Sequence, residues 1–179
     1  AFVAEQYLDA DIIVNIQGDE PFIPAEMIDK AIEPLVFDSN VNISTLAKKI
    51  TTVSDLRAPS VVKVVFDYNN DALYFSRAAI PYVRETQTYI EKINSTDFYK
   101  HIGLYVFRRD ALIQFTSLQP TYLEQIERLE QLRLLENGYK IKVVITELDS
   151  ISVDTMEDMN AARQYYKKIL KQNQRNENE

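Results

Sequence analysis

The 179-residue chain contains no cysteine, a single histidine and only three glycines. Without cysteine there is no disulfide, no thiolate metal site and no cysteine nucleophile, which agrees with a reducing compartment. Gly18, Gly103 and Gly138 are too few and too scattered for a GxGxxG fingerprint or a P-loop. Positive charge is also short: 20 Lys and Arg against 27 Asp and Glu leave a net charge of −7. That balance excludes nonspecific nucleic-acid binding, which needs surplus cations to release counterions. It is compatible with a phosphate-bearing small ligand if a divalent cation stands between the anions. No apolar run approaches the roughly 20 residues that span a bilayer, and no basic-then-apolar leader is visible. The chain therefore reads as soluble and cytoplasmic, with no membrane or nucleic-acid partner.

What is present is a core. Hydrophobic residues make up 46% of the chain and charged ones 26%, the balance of a soluble globular domain. Residues 1–8 (AFVAEQYL) read as the end of an amphipathic helix with no cap before it, so the sequence is expected to start mid-fold. Residues 11–16 (DIIVNI) form a short β-branched run, expected to be a central strand buried on both faces. A helix follows over 24–37, with Met27, Ile28, Ala31, Ile32 and Leu35 on one face. Residues 41–47 and 61–66 read as strands, and 72–76 answers 61–66 across the turn Asp67-Tyr68-Asn69-Asn70-Asp71 as a hairpin. Residues 84–97 read as a surface loop with room for one helical turn. Strand 99–107 precedes a helix over 110–116, then a long helix over 121–136 with leucine or isoleucine every third residue and Asn137-Gly138 as its stop. A strand over 140–146 and a helix from about 154 to 171 complete the pattern, leaving 172–179 as a disordered tail. This alternation predicts one domain over 1–171, with a hairpin subdomain near 61–107, in a three-layer α/β/α architecture with a mixed, mainly parallel sheet.

Chemistry concentrates where the sequence is least ordinary. In Gln17-Gly18-Asp19-Glu20-Pro21 an apolar strand empties into two adjacent carboxylates, and open α/β sheets bind ligands at such strand ends. The same residues could equally be a polar turn in water. Asp154 either caps the helix it opens or ligates a cation, and one carboxylate can do both. His101 shares a strand face with Gly103 and Tyr105 by alternation, opposite Ile102, Leu104 and Val106. A packed, satisfied histidine is the plainer alternative. Arg77 ends the hairpin and offers a planar fork suited to a carboxylate or phosphate, or to a surface ion pair. Glu127, Glu130, Gln131 and Leu134 fall on one face of the expected long helix.

The order of several segments is familiar. Residues 14–23 (VNIQGDEPFI), 61–82 (VVKVVFDYNNDALYFSRAAIPY), 99–112 (YKHIGLYVFRRDAL), 120–141 (PTYLEQIERLEQLRLLENGYKI) and 151–159 (ISVDTMEDM) together resemble the 3-deoxy-manno-octulosonate cytidylyltransferases, the CMP-Kdo synthetases of lipopolysaccharide biosynthesis. The resemblance implies a nucleotide-diphospho-sugar transferase-like fold and a nucleotidyltransferase reaction. CTP and a 3-deoxy sugar acid would give CMP-sugar and pyrophosphate. It implies that Asp19 and Asp154 jointly bind Mg²⁺ and carry the catalysis. It places Gln17, Arg77, His101, Glu130 and Gln131 around the sugar acid, with His101 donating to a hydroxyl or carboxylate. It also suggests a homodimer using the hairpin and strand 99–107.

The family's first strand and the Arg/Lys-containing loop that cradles the triphosphate have no counterpart in residues 1–179. The chain is thus expected to be an N-terminally truncated domain, the C-terminal two-thirds, and this fragment alone is expected to be inactive. A transferase for 8-amino-Kdo or N-acetylneuraminate would carry a similar sugar side, and a non-catalytic sugar-binding or dimerisation module is the alternative of another class. A glycosyltransferase would want Asp-x-Asp after the strand, where this chain has Asp19-Glu20.

Overall fold

The computed structural model describes residues 2–150, 153 and 156–176, the side chains of 168–176 excepted. In chain order the elements are α1 (Phe2–Gln6), β1 (Ile12–Ile16), α2 (Ala25–Phe37), β2 (Ile43–Lys49), α3 (Val53–Arg57), β3 (Lys63–Phe66), β4 (Ala72–Ser76), α4 (Tyr89–Ser95), β5 (Tyr99–Arg108), α5 (Arg109–Ser117), α6 (Tyr122–Glu127), α7 (Gln131–Glu136), β6 (Lys142–Ile145) and α8 (Met156–Asn176). α8 takes in 172–176, which the sequence left in a tail; Gln and Arg there are good helix formers with no Gly or Pro to stop them.

The six strands form one mixed sheet in the order β4-β3-β5-β2-β6, with β1 paired to β5. Only β2–β6 is a parallel pairing; β1–β5, β2–β5, β3–β4 and β3–β5 are antiparallel. The expectation of a mainly parallel sheet is corrected here. Its physical origin is β5, a ten-residue strand that runs against three neighbours at once and cannot be read as reversed from its own residues.

β5 also divides the core. Ile102, Leu104 and Val106 pack on α2 through Met27, Ala31 and Leu35. Tyr105 and Phe107, on the opposite face, pack with Ala111 and Leu112 of α5, Leu132 and Leu134 of α7, and Phe75 of the hairpin. Alternation along one strand thus supplies the inner faces of two helical layers. β5 is therefore interior to the sheet, with strands paired along both of its edges. β1 is not the strand buried on both faces: Ile16 is 41% exposed, and Asn15 is exposed beside it.

β1 and β3 lie end to end along the same edge of β5. β1 follows β5 from Arg108 back to Leu104, and the Gln17 N–H still donates to the Gly103 carbonyl at 3.1 Å. The chain then leaves this edge of β5 and rejoins it at Val62, whose carbonyl accepts the His101 N–H at 2.8 Å. Between those two points the edge of β5 opens into a cleft.

Candidate active site

The cleft has a volume of about 560 Å³, and Gln17, Asp19, Arg77, His101, Glu130 and Gln131 all line it. Six of the seven residues expected at the site therefore meet; Asp154 lies outside the described residues.

The β1 wall is drawn tight by backbone. The Glu20 N–H donates to the Gln17 carbonyl at 3.0 Å, which closes the turn, and the Val153 N–H donates to the Asp19 carbonyl at 2.8 Å. The latter ties the residue before Asp154 to the strand-end loop. A Cβ on Gly103 would come within 2.5 Å of Gln17 Oε1 and 3.1 Å of Cδ, so this glycine gives Gln17 its room. Glu20 is held by the Ser150 hydroxyl. Burial raises its carboxyl above the ordinary value, with the Asp19 charge adding to this, while Ser150, the Gly103 N–H and Lys100 act in the other direction. Asp19 Oδ1 is buried and unpartnered among the described residues, a costly state for a carboxylate oxygen unless a ligand completes it.

The opposite wall comes from what the sequence presented as one helix. α6 ends at Arg128, which adopts left-handed φ/ψ of 56° and 47°, and α7 begins again at Gln131. Tertiary bonds outcompete helix continuation at this point. The Glu127 carboxylate accepts from Ser76 Oγ at 2.6 Å and the Arg77 N–H at 3.0 Å. The Arg77 guanidinium donates to the carbonyls of Glu127 (2.8 Å), Pro59 (3.0 Å) and Arg128 (3.4 Å). Arg77 thus holds the wall together with the fork that was expected to receive a carboxylate. The break turns Glu130 and Gln131 into the cleft, instead of leaving them on a continuous helical face with Glu127.

His101 forms the floor. Its Nε2 lies 2.9 Å from Thr45 Oγ1, and its ring packs against Phe75 and Tyr105 with centroids 5.3 and 5.1 Å apart. Burial lowers its pKa to about 3, so the ring is neutral. The histidine is thus packed and satisfied on one side, as the plainer alternative had it, and lines the cleft on the other.

Three further cleft residues, Tyr105, Lys100 and Asp149, escaped sequence reasoning. Tyr105 has a buried hydroxyl with no partner among the described residues; burial, then the Glu130 charge, pushes it up. Its signal was present, because alternation puts it on the face of His101. Lys100 and Asp149 had none beyond their charge. Asp149 binds Lys100 at 2.9 Å and Lys48 at 3.0 Å, which lowers its carboxyl against the effect of burial.

Residues 2–141 match the sequence profile of the family described as cytidylyltransferase, and the chain belongs to that family. It is 53% identical over 165 residues to 3-deoxy-manno-octulosonate cytidylyltransferase of Geotalea uraniireducens, covering 90% of this chain and 66% of that one. It is 50% identical over 175 residues to the protein of that name from Chloroherpeton thalassium, covering 96% and 68%. Among solved structures, a CMP:2-keto-3-deoxy-manno-octonic acid synthetase complexed with CTP superposes with a TM-score of 0.81 at 33% identity, over 93% of this chain and 66% of that one. The chain thus spans about two thirds of the length of the relatives it matches. Among the described residues no helix is long and apolar enough to cross a membrane.

Proposed function

We propose that the whole protein is a cytoplasmic enzyme that transfers CMP from CTP to 3-deoxy-D-manno-octulosonate, releasing pyrophosphate, in lipopolysaccharide biosynthesis. One observation carries the reading: in a chain of this family, Gln17, Asp19, His101, Tyr105, Glu130 and Gln131 converge from three parts of the fold on one cleft. The sugar's anomeric hydroxyl would attack the α-phosphorus of CTP. The bond from that phosphorus to the bridging oxygen breaks, and the hydroxyl proton leaves to solvent or base.

Such a reaction asks mainly for positioning and neutralisation of charge. Glu130, Gln131 and the Tyr105 hydroxyl suit a polyhydroxylated ring, each offering directed donors or acceptors. Lys100, oriented by Asp149, supplies a cation for the sugar acid's carboxylate. Gln17, packed over Gly103, faces the reacting end, and Arg77 keeps the far wall in place.

Among the described residues no three His, Asp or Glu side chains could hold a metal. A single orphaned carboxylate oxygen on Asp19 nonetheless fits Mg²⁺, which takes one or two carboxylates and fills its shell with phosphate oxygens and water. Asp19 and Asp154 would hold the ion, and the Val153–Asp19 backbone bond supports their proximity. When bound, Mg²⁺ neutralises phosphate charge and polarises the attacking hydroxyl.

The exposed Tyr68, Leu73 and Tyr82 of the hairpin region favour a homodimer through that face. Pyrophosphate release by the whole protein, assayed with CTP and each of 3-deoxy-D-manno-octulosonate, its 8-amino analogue and N-acetylneuraminate, tests the function. Turnover dependent on the first acid is expected. Preference for another acid, or no release with any, overturns the proposal.

A further inference from the structure

The pairing of β2 with β5 slips between Thr45 and Leu46: Thr45 faces Tyr105, while Leu46 faces Ile102. Gly103 and Leu104 therefore bulge out of the ladder on the β2 side. Leu104 is fully buried, where a carbonyl needs a donor. The Thr45 hydroxyl supplies it at 2.7 Å.

A hydroxyl has one hydrogen, and a carbonyl can only accept. With that hydrogen committed to Leu104, the Thr45 oxygen can only accept from His101 Nε2, 2.9 Å away. Nε2 therefore carries the ring proton. A neutral imidazole has one protonated nitrogen, which leaves Nδ1 bare. The choice of tautomer follows from the bulge through two hydrogen bonds, without reference to any ligand.

We propose that Thr45 is a positioning residue that locks His101 as the Nε2–H tautomer, so that Nδ1 meets the ligand as an acceptor of a hydroxyl hydrogen and not as a donor to a carboxylate. This rests on reading the cleft as a sugar-acid site. It corrects the expectation that His101 donates to either group: a bare nitrogen lone pair attracts a sugar hydroxyl and repels a carboxylate. The floor of the cleft thereby selects which edge of a hydroxylated acid faces β5.

Because His101 is the only histidine of the chain, ¹⁵N-histidine labelling reads the lock directly. The unliganded protein is expected to show a protonated Nε2 whose hydrogen exchanges slowly, and an unprotonated Nδ1. Thr45→Val removes the acceptor: exchange of the Nε2 hydrogen accelerates, or the proton moves in part to Nδ1. In the transfer assay the same substitution raises KM for the sugar acid by about 3- to 10-fold, the loss of one hydrogen bond's worth of alignment, with kcat little changed. Thr45→Ser, which restores the hydroxyl, returns both readouts to wild type. A protonated Nδ1 in the wild type, or nitrogen signals and exchange unchanged by Thr45→Val, overturns the lock. The nitrogen measurement needs no substrate. If it succeeds while transfer to the sugar acid is absent, the lock stands and the reading of the cleft as a sugar-acid site falls.

Discussion

The two walls of the cleft solve the same problem in opposite ways. On the β1 side, polar residues project because a strand ends: Gln17 to Glu20 leave the sheet, and backbone bonds to Gly103 and Val153 hold them. On the α6–α7 side they project because a helix is broken. Arg77 and Glu127 hold Arg128 in a left-handed conformation that a non-glycine residue adopts at a cost of about 1–3 kcal/mol. The first wall is made of what the chain does readily. The second is made of strain that tertiary contacts sustain, so it should answer differently to substitution, to acid and to relief of that strain.

The largest expected effect lies on the β1 side. Asp19→Ala should cut transfer by roughly 10³-fold, with little change in thermal stability, because Oδ1 has no partner among the described residues. Activity within about tenfold of wild type would remove this wall from the chemistry. Next comes Gly103→Ala, whose methyl group must push the end of Gln17 aside. A displacement of that size in a reacting site costs on the order of 10²-fold in kcat/KM, and the melting temperature should fall only slightly, since Gln17 is flexible at its end.

The far wall responds to pH. Glu124, at the start of α6, pairs with Arg133 of α7, with Nε–Oε2 at 2.8 Å. Arg133 holds its carboxyl below the usual value of 4.5, with Thr121 contributing and burial opposing. A depressed folded pKa stabilises the native state fully above the unfolded value of 4.5 and loses that contribution as pH falls through the folded value. Thermal unfolding of wild type and Glu124→Gln should therefore differ at pH 7, begin to approach each other near pH 4.5 and converge only once the pH has fallen through the depressed folded value. A difference that persists there would show the pair acting through packing alone. The smallest effect belongs to Arg128→Gly, which removes the left-handed penalty at the break. A gain of about 0.5–1 kcal/mol in denaturant unfolding is expected, since glycine's greater freedom in the unfolded chain offsets part of the relief. A loss of stability would mean the Arg128 side chain, not its backbone, holds the break.

The same contrast explains what the sequence could tell. The β1 wall was legible because its causes are local: DIIVNI is a strand by composition, and Gln-Gly-Asp-Glu-Pro ends it. The α2 face and the sidedness of β5 were legible for the same reason, through spacing of 3.6 and 2. The break between α6 and α7 was not. Leu123, Ile126, Leu129, Leu132 and Leu135 run unbroken through it, and the residues that cause it, Ser76 and Arg77, lie about fifty positions earlier. Pairing direction was hidden likewise, because antiparallel and parallel partners leave the same alternation on β5. Glu130 and Gln131 reached the site list only through family resemblance, for on a continuous helix they would have belonged to a solvated face.

The arrangement of β1 and β3 along one edge has a mechanical consequence. Only residues 101–103 of β5 separate the point where one strand leaves from the point where the other returns. At about 3.3 Å per residue, that sets the spacing between the two departures at roughly 7 Å. Because both are fastened to the same ladder, this width is a backbone dimension and not a loop setting. The protein therefore measures its ligand against a fixed gauge. The jaws on β5 cannot part without unzipping the central strand.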